Sequence, residues 1–123
     1  MPKKILLVED EDILANMYRL KISKAGYQVE VADDGEQGLV MAKKNRPDLI
    51  LLDVIMPKKD GFTMLKELKS DVSLKKIPVF LLTNLGQEED IKKGKELGAI
   101  DYFIKANFTP GELLIKINNY FNQ

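Results

Sequence analysis

The sequence predicts an α/β fold in which a doubly wound, five-stranded parallel sheet is covered by helices on both faces. Five short apolar runs begin near Ile5, Tyr27, Leu49, Val79 and Ile100, and each precedes a longer segment whose apolar residues have helical spacing. This alternation is typical of repeated βα units. The chain has 123 residues and 45% apolar content, which suits one globular domain. We therefore predict a single domain over residues 1–123.

The composition of the runs predicts which strands are central. Residues 5–8, 49–52 and 79–82 are continuously apolar, as strands covered on both faces require. Residues 27–31 instead alternate between apolar and polar side chains, which favours a strand at the sheet edge.

The segments between the runs predict five helices. Gly26 follows the first helix, Asp33-Asp34-Gly35 marks the start of the second, and Thr109-Pro110 provides an N-cap and an N1 proline for the last. We expect the apolar residues at helical spacing to face the core. They are Ile13, Met17 and Leu20 in the first helix, Phe62, Leu65 and Leu68 in the third, and Leu113, Ile117 and Phe121 in the last.

The segment from Gln87 to Gly98 differs from the other helices. Ile91 is its one large apolar residue between Glu88 and Glu96, and Gly94 lies in its interior. A helix held by so little apolar surface opens more easily than its neighbours, which indicates a mobile or partner-binding element. An ordinary solvated edge helix is the alternative.

The charge balance and two missing residue types exclude several classes of function. Nineteen basic and nineteen acidic residues give a net charge of zero, so no overall field attracts nucleic acid or anionic lipid. The sequence contains neither cysteine nor histidine, which excludes thiolate nucleophiles, imidazole metal sites and histidine-based catalysis. No apolar run approaches the roughly 18 residues of a membrane span. We expect a cytoplasmic location, no membrane insertion and no direct binding of nucleic acid.

Polar side chains follow four of the predicted strands. Glu9 and Asp10 follow the first, Asp53 the third, Thr83 the fourth and Lys105 the fifth. Ligands of open parallel sheets bind at the carboxyl ends of the strands, so we expect these groups at one edge. Clustered carboxylates repel one another unless a cation intervenes, and oxygen ligands suit Mg²⁺. Beside such an ion, the carboxylate of Asp53 is a plausible nucleophile toward phosphorus.

Single residues in this set also have simpler explanations. Asp53 alone could cap a turn, and Lys105 alone could extend into solvent. Glu11 and Asp12 suit the first turn of a helix, where acidic side chains are favoured.

Nearly the whole chain, from Lys4 to about Tyr120, resembles the receiver domain of two-component response regulators, in particular the stand-alone, chemotaxis-like kind. The order of the motifs makes the resemblance specific. They are Glu9-Asp10, Leu51-Leu52-Asp53 followed by Met-Pro-Lys-Lys-Asp-Gly at 56–61, Leu81-Leu82-Thr83, and Leu97-Gly98-Ala99 leading to Tyr102-Phe103-Ile104-Lys105. The resemblance implies a flavodoxin-like strand order of 2-1-3-4-5.

The resemblance also implies a role for each residue of the site. Asp53 would accept a phosphoryl group from a phosphohistidine on a sensor histidine kinase or phosphotransfer protein. Asp10, Asp53 and the backbone carbonyl of Ile55 would bind Mg²⁺, with Glu9 supporting the ion directly or through water. Lys105 would bind a phosphoryl oxygen. The chain would therefore be a phosphoacceptor signalling domain, which assists its own phosphorylation and dephosphorylation, rather than an enzyme.

A conformational switch is implied as well. Thr83 would hydrogen-bond the attached phosphoryl group and draw its loop inward, and Tyr102 would turn inward with it. The fourth helix, the fifth strand and the last helix (113–121) would form the face that a downstream effector protein reads, and through which a dimer could form.

Two residues depart from the family pattern. The residue after the threonine is usually small, but here it is Asn84, whose side chain could crowd the site and slow phosphorylation or hydrolysis. The lysine is usually followed by proline in a cis peptide, whereas Ala106 follows it here. A cis bond before a residue other than proline costs about 2.5–4 kcal/mol, so a trans bond with a shifted Lys105 is an alternative.

The sequence also allows other functions. A phosphatase of the haloacid dehalogenase type also uses a strand-end aspartate with Mg²⁺, and residues 10–12 have its D-x-D spacing, although that family's cap insertion is missing. A degenerate receiver that binds partners without phosphorylation is a second alternative. Flavin or dinucleotide binding is disfavoured, because acids occupy the first βα turn and no G-x-G-x-x-G motif is present.

Overall fold

Five strands alternate with five helices along residues 2–122, the part of the chain that this computed structural model describes. The strands are β1 (Lys4–Val8), β2 (Gln28–Ala32), β3 (Leu49–Leu52), β4 (Val79–Thr83) and β5 (Asp101–Ile104). The helices are α1 (Asp12–Lys24), α2 (Gly35–Asn45), α3 (Gly61–Ser70), α4 (Glu88–Glu96) and α5 (Pro110–Phe121), and a 3₁₀ turn (Lys105–Asn107) follows β5. The strands form one parallel sheet in the order β2-β1-β3-β4-β5. The predicted fold class and strand order are confirmed.

The sheet separates two apolar layers. Leu6, Ile50 and Leu81 contribute to the layer that includes α2, α3 and α4, and Leu7 and Leu51 to the layer that includes α1 and α5. All residues of β3 and β4 are buried, whereas β2 alternates between exposed and half-buried positions over residues 28–31 before the buried Ala32. The predicted central strands and edge strand are therefore observed.

Side-chain caps fix the starts of α2, α3 and α5, and the starts of α2 and α5 are those that the sequence indicates. Asp34 and Asp60 each accept a hydrogen bond from a backbone N–H of the helix that follows, both at 2.8 Å. Thr109 and Glu112 form a reciprocal capping box at the start of α5, which satisfies two backbone donors. Gly26 follows α1 with a φ of 100°, a conformation that glycine adopts without a Cβ penalty.

The predicted buried face of α1 is wrong. Ile13 is 88% exposed, and Met17 and Leu20 are also exposed. The buried residues are Ala15, Tyr18 and Ile22. These also have helical spacing, and the helix turns this stripe toward the sheet because α1 packs against α5 and β2. The aromatic ring of a tyrosine contributes large apolar area despite its hydroxyl.

None of the helices in residues 2–122 has the length and apolar character needed to cross a membrane.

Candidate functional site

Three carboxylates meet at the carboxyl edge of the sheet. Glu9 follows β1 and is 1% exposed, Asp53 follows β3 and is 7% exposed, and Asp10 is exposed. The N–H of Asp53 donates to the carbonyl of Val8 at 3.0 Å, which joins the two strand ends. One carboxylate oxygen from each of the three acids lies within 4.8 Å of the others. We refer to Glu9, Asp10 and Asp53 as the carboxylate cluster.

Lys105 inserts its ammonium group into this cluster. Its Nζ donates to Oδ2 of Asp53 at 2.9 Å and to Oε1 of Glu9, and its side chain is 9% exposed. No cis peptide occurs in residues 2–122, so the bond between Lys105 and Ala106 is trans. The lysine therefore reaches the aspartate with a trans peptide bond after it.

Burial and the lysine together control the charge of the cluster. Burial raises the pKa of Glu9, and the charge of Asp53 adds to this effect, while the hydrogen bond from Lys105 opposes it. Burial also disfavours the charged form of Lys105, but its hydrogen bonds to Asp53 and Glu9 outweigh that cost and raise its pKa. The ammonium group therefore stays charged at neutral pH.

The donor set fits a hard divalent cation. With all three acids ionised, three negative charges face one ammonium group, which leaves two in excess. Oxygen ligands that converge around such an excess are the kind that Mg²⁺ binds. Ile55, whose carbonyl the family resemblance implies as a ligand, lies in the loop just beyond Asp53 and is 60% exposed.

The backbone beyond β3 orients the carboxylate of Asp53. Its Oδ1 accepts hydrogen bonds from the N–H groups of Val54 at 2.7 Å and Ile55 at 3.3 Å. Gly61 packs directly on this turn, where any Cβ would overlap the carbonyl oxygen of Asp53. The side chain is therefore held between main-chain donors on one oxygen and an ammonium group on the other.

Thr83 and Tyr102 both contact the loop that follows β4. Thr83 is fully buried, and its hydroxyl oxygen accepts a long hydrogen bond of 3.4 Å from the N–H of Leu85. Tyr102 is turned inward at 9% exposure, and its hydroxyl donates to the carbonyl of Leu85 at 2.5 Å. Burial raises the pKa of Tyr102 to about 12, so the phenol is neutral in the folded chain.

The space for the inward ring of Tyr102 comes from Gly94. A Cβ at this position would lie 2.5 Å from Cδ1 of Leu81 and 3.0 Å from the tyrosine ring. Gly94 is also the one buried residue of α4. The sequence indicates a weakly anchored helix but does not reveal that its glycine accommodates the aromatic ring.

Two features near the site, the burial of Tyr18 and a hydrogen bond of Asn84, have no signal in the sequence. Tyr18 of α1 is buried, and burial is the main cause of its raised pKa; the positive charge of Lys105 opposes this increase, and the negative charges of Glu9 and Asp53 add to it. The N–H of Ala106 donates to Oδ1 of Asn84 at 3.2 Å. Such contacts depend on how distant segments pack, so residue spacing does not predict them.

The comparisons with known proteins agree on one protein family. Residues 5–118 match the response regulator receiver domain. The chain is 39% identical over 117 residues to the DNA-binding dual master transcriptional regulator RpaA of Synechocystis sp., covering 95% of the chain and 48% of that protein. It is equally similar, with the same coverage, to the alkaline phosphatase synthesis transcriptional regulatory protein PhoP of Bacillus subtilis. The chain thus spans about half the length of these relatives.

A solved structure matches along almost its full length. The chemotaxis protein CheY4 of Vibrio cholerae superposes with a TM-score of 0.90 at 34% identity, covering 97% of this chain and 98% of that one. Because the match covers almost the whole chain, it includes all five βα units.

Proposed function

The chain belongs to the response regulator receiver domain family, and from this premise we propose that it accepts a phosphoryl group on Asp53 and signals through a change of surface. The observation that carries the proposal is the convergence of three carboxylates and one ammonium group around an oriented aspartate. Receiver domains are signalling domains, and the donor we propose is a phosphohistidine of a sensor histidine kinase or phosphotransfer protein.

In the proposed reaction, a carboxylate oxygen of Asp53 attacks the phosphorus atom of the donor. A P–O bond forms, the P–N bond to the donor imidazole breaks, and the imidazole leaves with the electron pair and takes up a proton. Mg²⁺, held by Asp10, Asp53 and the carbonyl of Ile55 with support from Glu9, would supply charge screening between the two anions. Lys105 donates to Oδ2 of Asp53, so it is a second source of positive charge at this carboxylate, and it would stabilise the phosphoryl oxygens.

The switch we propose runs through the loop after β4. Thr83 and Tyr102 both hydrogen-bond Leu85, so movement of the threonine hydroxyl toward a phosphoryl oxygen would change both contacts. The α4-β5-α5 face, formed by residues 88–96, 101–104 and 110–121, would present the altered surface to an effector protein or to a second copy of the chain. We propose that the output of these residues is protein contact, whereas DNA binding is stated for the longer relative RpaA.

Intact mass after incubation with acetyl phosphate and Mg²⁺ tests the phosphoacceptor role. We expect wild type to gain the mass of one phosphoryl group and Asp53→Asn to gain none. Asp33→Asn is a matched control, because Asp33 is exposed and follows the edge strand β2; this variant should be modified like wild type. Equal modification of Asp53→Asn and wild type would contradict the assignment, and no modification of wild type would favour a degenerate receiver.

The same proteins distinguish the phosphatase alternative. Catalytic turnover of an external phosphate ester, lost in Asp10→Asn, would indicate a phosphatase. We expect a single acyl phosphate per chain and no turnover of the ester.

A further inference from the structure

We propose that Asn84 is a positioning residue that fixes the end of β4 to the turn carrying Lys105, an inference that rests on the proposed phosphoacceptor function. The observation is the hydrogen bond from the N–H of Ala106 to Oδ1 of Asn84 at 3.2 Å, which joins residues that are 22 positions apart. We call this contact the Asn84–Ala106 bridge.

The bridge continues the pairing of two strands beyond the sheet. Thr83 of β4 and Ile104 of β5 form the last pair of their ladder. After this pair the two segments separate, one toward α4 and the other into the 3₁₀ turn. The first N–H groups of a helical turn have no partner within the turn. The side-chain amide of Asn84 supplies the acceptor that the main chain of β4 no longer offers to Ala106.

The bridge requires both residues that depart from the family pattern. A proline at position 106 would have no N–H to donate, and a small apolar residue at position 84 would have no oxygen to accept. The two departures are therefore complementary: the donor gained with Ala106 meets the acceptor gained with Asn84. The structure thus gives Asn84 a bonding partner, whereas the sequence suggests that its side chain obstructs the site.

The location of the bridge connects it to the site. Its two ends lie next to Thr83 and Lys105, whose side chains belong to different strand ends. Lys105 must keep its ammonium group near Asp53 while lying in a short 3₁₀ turn without the rigid ring of proline after it. A bond from Ala106 to the neighbouring strand end limits the movement of that turn. We infer that the bridge sets the distance between the threonine hydroxyl and the lysine ammonium group.

Amide hydrogen exchange tests the bridge in the unmodified protein. In Asn84→Ala we expect the N–H of Ala106 to exchange about threefold faster or more, the loss expected for one exposed hydrogen bond. Asn84→Asp keeps an acceptor oxygen and should restore slow exchange. Asn107→Ala is the matched control, because Asn107 is an exposed neighbour whose side chain makes no hydrogen bond within residues 2–122. Equal exchange in wild type and Asn84→Ala would overturn the bridge.

The rate of phosphorylation by acetyl phosphate with Mg²⁺ tests the positioning role. We expect Asn84→Ala to react roughly threefold more slowly than wild type, and Asn107→Ala to react at the wild-type rate. A faster reaction of Asn84→Ala would instead show that the side chain obstructs the site, and an unchanged rate would refute positioning.

A second background separates bonding from bulk. In Ala106→Pro the donor is missing, so the further change Asn84→Ala should have no effect on the rate; an equal effect in both backgrounds would refute the bridge as the cause. Should Ala106→Pro not fold, the exchange of Ala106 in Asn84→Ala and Asn84→Asp decides. Phosphorylation of wild type on Asp53 is measured in the same series, so failure of the bridge is distinguishable from failure of the proposed function.

Discussion

Replacing Lys105 by methionine is expected to destabilise the fold and to make its stability depend on Mg²⁺. Methionine has a similar length and no charge, so the change removes the ammonium group from between Glu9 and Asp53. Both carboxylates are almost completely buried, and the lysine donates to each of them. The variant therefore leaves two buried carboxylates beside Asp10 without their counter-ion.

The size of the effect follows from the burial of the ion pairs. Removing one partner of a buried pair costs about 3–5 kcal/mol of unfolding free energy. Asp10 is exposed and the cluster lies at the edge of the sheet, so water reaches part of it and the lower limit of about 3 kcal/mol applies. For a chain of this length, that loss corresponds to a decrease in Tm of about 10 °C.

Urea unfolding with and without Mg²⁺ measures both parts of the prediction. Without the ion, Lys105→Met should unfold at a lower urea concentration than wild type with the same m-value. With Mg²⁺ the difference should become smaller, because the cation supplies the missing charge and no longer meets a competing ammonium group; binding to the folded state then adds stability by mass action.

Lys92→Met provides the control for loss of a lysine. Nζ of Lys92 lies 4.0 Å from Oε1 of Glu96 on the surface of α4, and the two side chains are 77% and 66% exposed. Exposed ion pairs of this kind contribute about 0–1 kcal/mol to stability. The reasoning would be refuted if Lys105→Met lost no more stability than Lys92→Met, or if Mg²⁺ stabilised it less than wild type.

Two further substitutions test the packing of α4 and the charge of Glu9. Gly94→Ala should destabilise by about 1 kcal/mol despite the better helix propensity of alanine, because its Cβ meets Leu81 and the Tyr102 ring. Gly111→Ala, with no atom nearer than 3.7 Å, should not destabilise, and thermal unfolding compares the two. Glu9→Gln should be more stable than wild type at neutral pH without Mg²⁺. Burial raises the pKa of Glu9, so the folded state favours protonated Glu9, and the stability of wild type falls as the pH rises and Glu9 loses its proton. The urea midpoints of wild type and Glu9→Gln should therefore converge in acid.

The positions of the site residues could be predicted because parallel strands end at a common edge. Asp53 and Thr83 directly follow or end buried strands, so their placement depends on the apolar runs and not on loop conformation. The sequence likewise places Lys105 at the end of the fifth strand, but it does not predict the contact between Lys105 and Glu9. That contact depends on how far the 3₁₀ turn carries the lysine across the ends of β1 and β3.

The buried face of α1 and the contacts between loops were less predictable. The apolar residues Ile13 and Met17 have the same spacing as a buried stripe, but Tyr18 and Ile22 occupy the interior. Periodicity measures only relative angles around a helix, so it does not decide between two apolar stripes when one contains an aromatic residue with a polar atom. The bridge between Asn84 and Ala106 likewise joins two loops whose separation the sequence does not specify.

Lys105→Met and Glu9→Gln should change stability in opposite directions, although both remove one charged side chain from the same hydrogen bond. Loss of the ammonium group of Lys105 leaves more uncompensated negative charge, whereas loss of the carboxylate of Glu9 leaves less. If the contact contributed only packing or a neutral hydrogen bond, both variants would be destabilised. Opposite effects would therefore identify excess negative charge as the property of this edge, and the same excess is what a divalent cation requires for binding.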